Sequence, residues 1–144
     1  MNRHEFEALR DLPDKLIVDD IVFTPNKHLS TTLILEPIKV LNAGAYDVVL
    51  NGSYIPNIPA VKFNFSISSE GGAICRIEVN STIHKSAGRT HKHSLQHDSC
   101  PRKNLPHAVP RPDLDLTRLT PAEIWETICR EANINHEGRF IDPK

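Results

Sequence analysis

The sequence predicts an α+β fold: an antiparallel β-sheet packed by a C-terminal helix, with a short N-terminal helix. Two patterns carry this expectation. "VKFNFSIS" alternates Val61, Phe63, Phe65 and Ile67 with Lys62, Asn64, Ser66 and Ser68, and "AICRIEVN" alternates Cys75, Ile77 and Val79 with Arg76, Glu78 and Asn80. A period of two with one wet face, broken by "SEGG", predicts an antiparallel hairpin over residues 61–68 and 73–80. Near the end of the chain, Ile124, Trp125, Ile128, Cys129 and Ala132 recur at helical spacing. Ahead of them Thr120 and Glu123 fit a capping box, with Pro121 at the first helical position.

The other elements follow in chain order. Residues 2–11 read as a short helix, with Phe6 and Leu9 on one face and Pro13 ending the pattern. "KLIVDDIVF" puts Ile17, Ile21 and Phe23 on one side and Val18 and Val22 on the other; the paired Asp19 and Asp20 make it an irregular or edge strand, its acids solvated. "TTLILEPIKVL" is strand-like, and Pro37 removes a backbone donor, which suits an edge or a bulge. "AYDVVLNGSYI" alternates Tyr46, Val48 and Leu50, with Asn51-Gly52 as a hairpin-turn signal. From Ser81 to about Asp115 the pattern fails, interrupted by Pro101, Pro106, Pro110 and Pro112, although "THKHSL" has room for a short strand. Asn133 is a plausible helix C-cap, and the last ten residues read as a tail. The expected organisation is a single domain, 1–144, with its core at about 14–133, a basic His-rich loop at 84–112 and a tail at 135–144.

The totals narrow the class. A chain of 144 residues suits one domain with a real core. A net charge of -1 argues against a protein that binds polyanions over its whole surface. Three cysteines make no disulfide framework, so the expected setting is a reducing cytoplasm. The acidic "MNRHEFEALRDLP" start does not read as a signal peptide, and no run approaches the ~20 apolar residues of a membrane helix. Cys75 and Cys129 fall on apolar faces, Trp125 on the packing face of its helix, and His4 and His136 in terminal segments read as solvated.

Five of the eight histidines lie between Ser81 and Pro110. From His84 to His107 the segment also carries Lys85, Arg89, Lys92, Arg102 and Lys103 against the single acid Asp98. Such a stretch is an ordinary solvated loop or a phosphate-attracting patch. A zinc clasp is a second possibility: His91, His93, His97, Cys100 and His107 are ligand types, His97 and Cys100 are three apart, and His91 and His93 share one strand face. The faint His-Asn spacing of an HNH nuclease is too compressed here. Two His-x-Ser matches, His28–Ser30 and His97–Ser99, arise easily by chance in so His-rich a chain.

Metal-free acid–base catalysis is the third possibility. RNA cleavage needs a base for the 2′-hydroxyl and an acid for the leaving oxygen, and two histidines can divide those roles. The expected pair is His84 and His93, with His91 as substitute; Lys85, Arg89, Lys92, Arg102 and Lys103 are the expected phosphate-binding cations. No metal or other cofactor is expected on this reading, His97, Cys100 and His107 being the alternative metal set.

"RIEVNSTIHKSAGRTHKHSL" at residues 76–95, followed by "LTPAEIWETICREANI" at 119–134, resembles small prokaryotic and phage proteins of the TumE-like toxin–antitoxin type. The shared pattern is a strand ending in Asn, a His, a glycine-containing loop, a His-x-His strand and a late helix ending in Asn-Ile. Asn80, His84, Gly88, His91, His93 and residues 132–134 match it. The resemblance covers about the last 60 residues and implies a toxin-like role, RNA cleavage and an antitoxin partner. The rival expectation is a non-enzymatic phage-encoded inhibitor of a host defence complex, of the anti-CRISPR type, whose basic loop docks on a partner or covers a nucleic-acid path. Neither expectation involves a membrane.

Overall fold

The computed structural model describes residues 1–28, 31–68, 72–85, 87–95 and 105–144. At its centre are the two strands with the plainest alternation, β5 (Ala60–Ile67) and β6 (Gly72–Val79), which pair antiparallel. Strand β4 (Val48–Ile55) runs beside β5, and β3 (Leu33–Val40) and the two-residue β2 (Thr24–Pro25) extend that side. On the other side come β7 (His91–Ser94) and β8 (Ala108–Pro110). All seven strands neighbour in sequence order, an antiparallel meander.

One face of this sheet is dry. Phe63, Phe65, Ile67, Ile77 and Leu50 are buried there. The helix α2 (Pro121–Glu131) lays Ile124, Trp125 and Ile128 against them, with Trp125 5.3 Å from Phe63 and 6.4 Å from Phe65, centroid to centroid. Each such side chain taken out of water stabilises the fold by about 1.5–3 kcal/mol. The helix starts on a complete capping box between Thr120 and Glu123. It stops where Asn133 takes a positive φ of 51°, just past the C-cap Ala132. The first helix, α1 (Arg3–Asp11), is capped by Asn2 and Glu5 and buries Phe6 and Leu9 in the same core, which therefore begins well before residue 14.

Ile17, Ile21 and Phe23 turn inward while Val18 and Val22 stay exposed, as the alternation requires. The regular part of that stretch is only β1 (Lys15–Ile17). Its Lys15 is buried, and Nζ donates to the Arg10 and Leu12 carbonyls at the end of α1, at 2.7 and 2.6 Å. Burial pulls this ammonium down to about 8.

Four expectations need correction. Asn51-Gly52 is not a turn but lies inside β4. Glycine is needed there because a Cβ would run into the Lys62 carbonyl of the neighbouring strand, opposite the bulge that Pro37 makes in β3 between Leu35 and Ile38. Residues 84–112 are not one loop, since they contain β7 and β8. Residues 135–144 do not trail away. β9 (Ile134–His136) pairs in parallel with β1, Ile21 bridges to Phe140, and the Phe140 ring stacks 6.4 Å from Trp125. Nor is His136 simply solvated: its Nδ1 accepts from Trp125 Nε1 at 3.1 Å, and its Nε2 donates to the Asp19 carbonyl at 2.8 Å. Asp20, in turn, takes the Arg139 backbone N–H and guanidinium, at 2.8 and 3.0 Å. Among the described residues no helix is long and apolar enough to cross a membrane.

Candidate functional site

The wet face of the sheet carries the polar row Lys62, Glu78 and His91, because these three residues pair in register across β5, β6 and β7. The next row places Arg76 opposite His93. Glu78 therefore stands directly across from His91 and diagonally from His93, within reach of both. The face does not stay wet at this end: His91 is 1% exposed and His93 5%.

The cover comes partly from the chain between β6 and β7. Asn80 leaves β6 in a left-handed conformation, its N–H taken by Thr90 Oγ1 at 3.0 Å. The Ser81 N–H donates to the Arg89 carbonyl, closing the base of the excursion. Inside it, the N–H groups of Ala87 and Gly88 donate to the His84 carbonyl and the His84 N–H donates to Gly88, whose φ of 73° suits glycine. This inner turn buries Ala87 and hangs the half-buried His84 ring over the other two. The three imidazoles are mutually adjacent, with centroids 5.4 Å apart for His84 and His91, 5.2 Å for His84 and His93, and 4.8 Å for His91 and His93.

Every nitrogen of the two deep rings has an oxygen close by. His91 Nδ1 donates to the Gly88 carbonyl at 3.0 Å, and its Nε2 meets Glu78 Oε2 at 3.1 Å. His93 Nδ1 donates to the Leu105 carbonyl, and its Nε2 lies 3.3 Å from the same Oε2. The other carboxylate oxygen, Oε1, takes Lys62 Nζ at 3.1 Å and Ser81 Oγ at 3.4 Å. Burial opposes ionisation of Glu78, but the bonded Lys62 ammonium outweighs it and holds the carboxyl below its usual range. Burial also holds the His93 ring below the ordinary histidine value, against the pull of the Leu105 carbonyl and Glu78. Glu78, His91 and His93 each aim a ligand-type atom at the others, all within 4.8 Å.

The structure thus brings together His84, His91 and His93, but not all the cations expected with them. Lys92 points to the opposite face: alternation along β7 turns it away from its histidine neighbours, and it lines a cleft with Arg3, Arg10, Arg111 and Glu131. Lys85 and Arg89 are exposed on the 81–90 excursion, and Arg89 Nη1 donates to the Ser81 carbonyl at 3.3 Å. His107 is exposed on the approach to β8. His97, Cys100, Arg102 and Lys103 lie outside the described residues. Cys75 and Cys129 carry no thiolate chemistry at neutral pH, since burial raises both, Cys129 to about 12.

The sequence pointed to neither Glu78 nor Lys62 as part of the site. A signal existed: His91 and His93 on one strand face need a partner on the matching face of β6, where Arg76 and Glu78 alternate. No family model matches this chain, and no curated protein or solved structure is detectably similar to it, so function has to be read from this cluster itself.

Proposed function

We propose that the imidazole cluster is the working centre of a toxin-like protein that cleaves RNA. The observation that supports this is a pair of imidazoles, His91 and His93, meeting on one carboxylate, with the His84 ring packed against both beneath an excursion carrying exposed Lys85 and Arg89. The roles differ from an even division between His84 and His93. With almost no exposure and Nδ1 of each ring fixed on a backbone carbonyl, His93 and His91 are positioning groups. His84, half-buried at the mouth, is the ring placed to meet a substrate.

In this reading the phosphate is drawn in by Lys85 and Arg89, and His84 takes the proton of the 2′-hydroxyl. The 2′-oxygen attacks phosphorus, and the bond to the 5′-oxygen breaks as that oxygen takes the proton back from the His84 imidazolium, leaving a 2′,3′-cyclic phosphate and a 5′-hydroxyl end. An antitoxin protein would act by covering the same mouth. The test is RNA cleavage, or growth arrest on expression, by the full chain and by His84→Ala. Loss of a general acid–base group costs about 10²- to 10⁴-fold. Undiminished cleavage or arrest in His84→Ala overturns the reading.

A further inference from the structure

We propose that Glu78, His91 and His93 form a binding site for a divalent first-row transition-metal ion such as zinc, open on the side of His84. The inference goes beyond the RNA reading and does not need it. It starts from hydrogen bonding. The Gly88 and Leu105 carbonyls can only accept, so the Nδ1 atoms of His91 and His93 carry their hydrogens. In a neutral imidazole this leaves Nε2 as a lone pair. Both Nε2 atoms, at 3.1 and 3.3 Å, face Oε2 of a carboxylate, which is also an acceptor. Three lone-pair atoms turned toward one point lack a shared positive partner, and a single cation satisfies all three.

The spacing fits. Ligand atoms at about 2.0–2.1 Å from a tetrahedral zinc ion stand about 3.3–3.4 Å from one another. The two nitrogen–oxygen separations, 3.1 and 3.3 Å, are close to that edge, and the whole donor set lies within 4.8 Å.

The surroundings are those of a metal site as well. Ligating histidines characteristically give their second N–H to a carbonyl, which fixes the ring and its tautomer. Both deep histidines do so here. The carboxylate is steered by bonds from Lys62 and Ser81 to its other oxygen. Two imidazoles and one carboxylate favour zinc and its neighbours over magnesium or calcium, which prefer all-oxygen shells. Three protein ligands leave a position for water or substrate, the arrangement of catalytic rather than structural zinc. The His84 ring, half-buried and within 5.4 Å of both ligand rings, is the neighbour through which we infer that position is reached.

The experiment strips the full chain with chelator and titrates it with Zn²⁺ by calorimetry and with Co²⁺ by visible absorption. One equivalent is expected. Glu78→Gln and His93→Ala should weaken binding at least 100-fold, and Lys62→Met, which removes the ammonium that steers the carboxylate, by about 10- to 100-fold. His107→Ala and Cys100→Ala should leave it unchanged. Absence of uptake by the wild-type chain overturns the proposal. So does wild-type affinity in Glu78→Gln, with loss in His107→Ala or Cys100→Ala. Glu78→Gln keeps the shape of the site, so the result does not depend on His93→Ala folding. Uptake is read without RNA, so a failed cleavage assay leaves it standing, and a failed metal titration leaves the cleavage reading to its own test.

Discussion

Glu78→Gln changes a charge and almost nothing else, and the structure assigns it an unusual sign. The Gln side chain can keep its oxygen where Oε1 sits, accepting from Lys62 and Ser81. Its amide nitrogen then replaces Oε2, with one hydrogen for each Nε2 that now lies 3.1 or 3.3 Å from an acceptor. Two neutral hydrogen bonds are gained, at about 1 kcal/mol each. The pair with Lys62, which is 40% exposed, is weakened, and exposed pairs contribute about 0–1 kcal/mol. In chelator the variant should therefore be as stable as the wild type or up to about 2 kcal/mol more stable.

Metal reverses the order. At 100 times its dissociation constant, zinc should raise the wild type by about 2.7 kcal/mol, while the variant gains little. Urea unfolding followed by fluorescence of the single tryptophan, Trp125, gives both numbers at pH 7.5. The reasoning fails if Glu78→Gln loses about 3 kcal/mol or more in chelator. Two charge-assisted bonds from imidazolium rings to the carboxylate would be worth that much, and the three atoms would then not be a set of acceptors.

Other consequences are as sharp. RNA cleavage should fall at least about 100-fold in His84→Ala and stay within about twofold in Lys92→Ala, because Lys92 lies on the far face. Lys15 holds its proton to about 8 when folded and to 10.5 when unfolded, so between those values the unfolded chain binds more protons and stability rises with pH. Urea midpoints should show the rise in the wild type and not in Lys15→Met. Phe140→Ala should cost about 2–3 kcal/mol in the same assay, since the ring is half-buried against Phe23, Phe63 and Trp125. An unpacked tail would show no change. Gly52→Ala should lower stability by several times the cost of an ordinary strand glycine, about 1 kcal/mol, because the new methyl meets backbone rather than a movable side chain.

What the sequence shows and what it hides divide along local and distant information. The β5–β6 pair, the capping box of α2, the bulge at Pro37 and the inward set Ile17, Ile21 and Phe23 are written in neighbouring residues, and all appear in the structure. Gly52 is ambiguous locally: Asn-Gly makes a turn only if the partner strand leaves room for one, and here β5 passes too close. The histidines were visible as candidates, but alternation only says that Glu78 lies on the polar face, not that β7 and residues 81–90 cover it. That needs the β6–β7 register, which sets Glu78 opposite His91. Lys92 is legible in the sequence as lying apart from them, since two histidines on one face force the residue between them onto the other.

The parallel pairing of β1 with β9 carries a consequence for the order of folding. Each hairpin from β3 to β6 joins strands that follow one another, whereas Lys15 meets Ile134 only after most of the chain has been placed between them. Closing that long loop costs more entropy than closing a hairpin, so the clasp should form last. Substitutions in the clasp should then speed unfolding and leave refolding nearly unchanged, while those in β5 and β6 slow refolding. Trp125, held between the meander and Phe140, would report the late step by its fluorescence, and far-ultraviolet dichroism would report the earlier one. A lag between the two signals would mark the moment at which the two ends of the fold are fastened together.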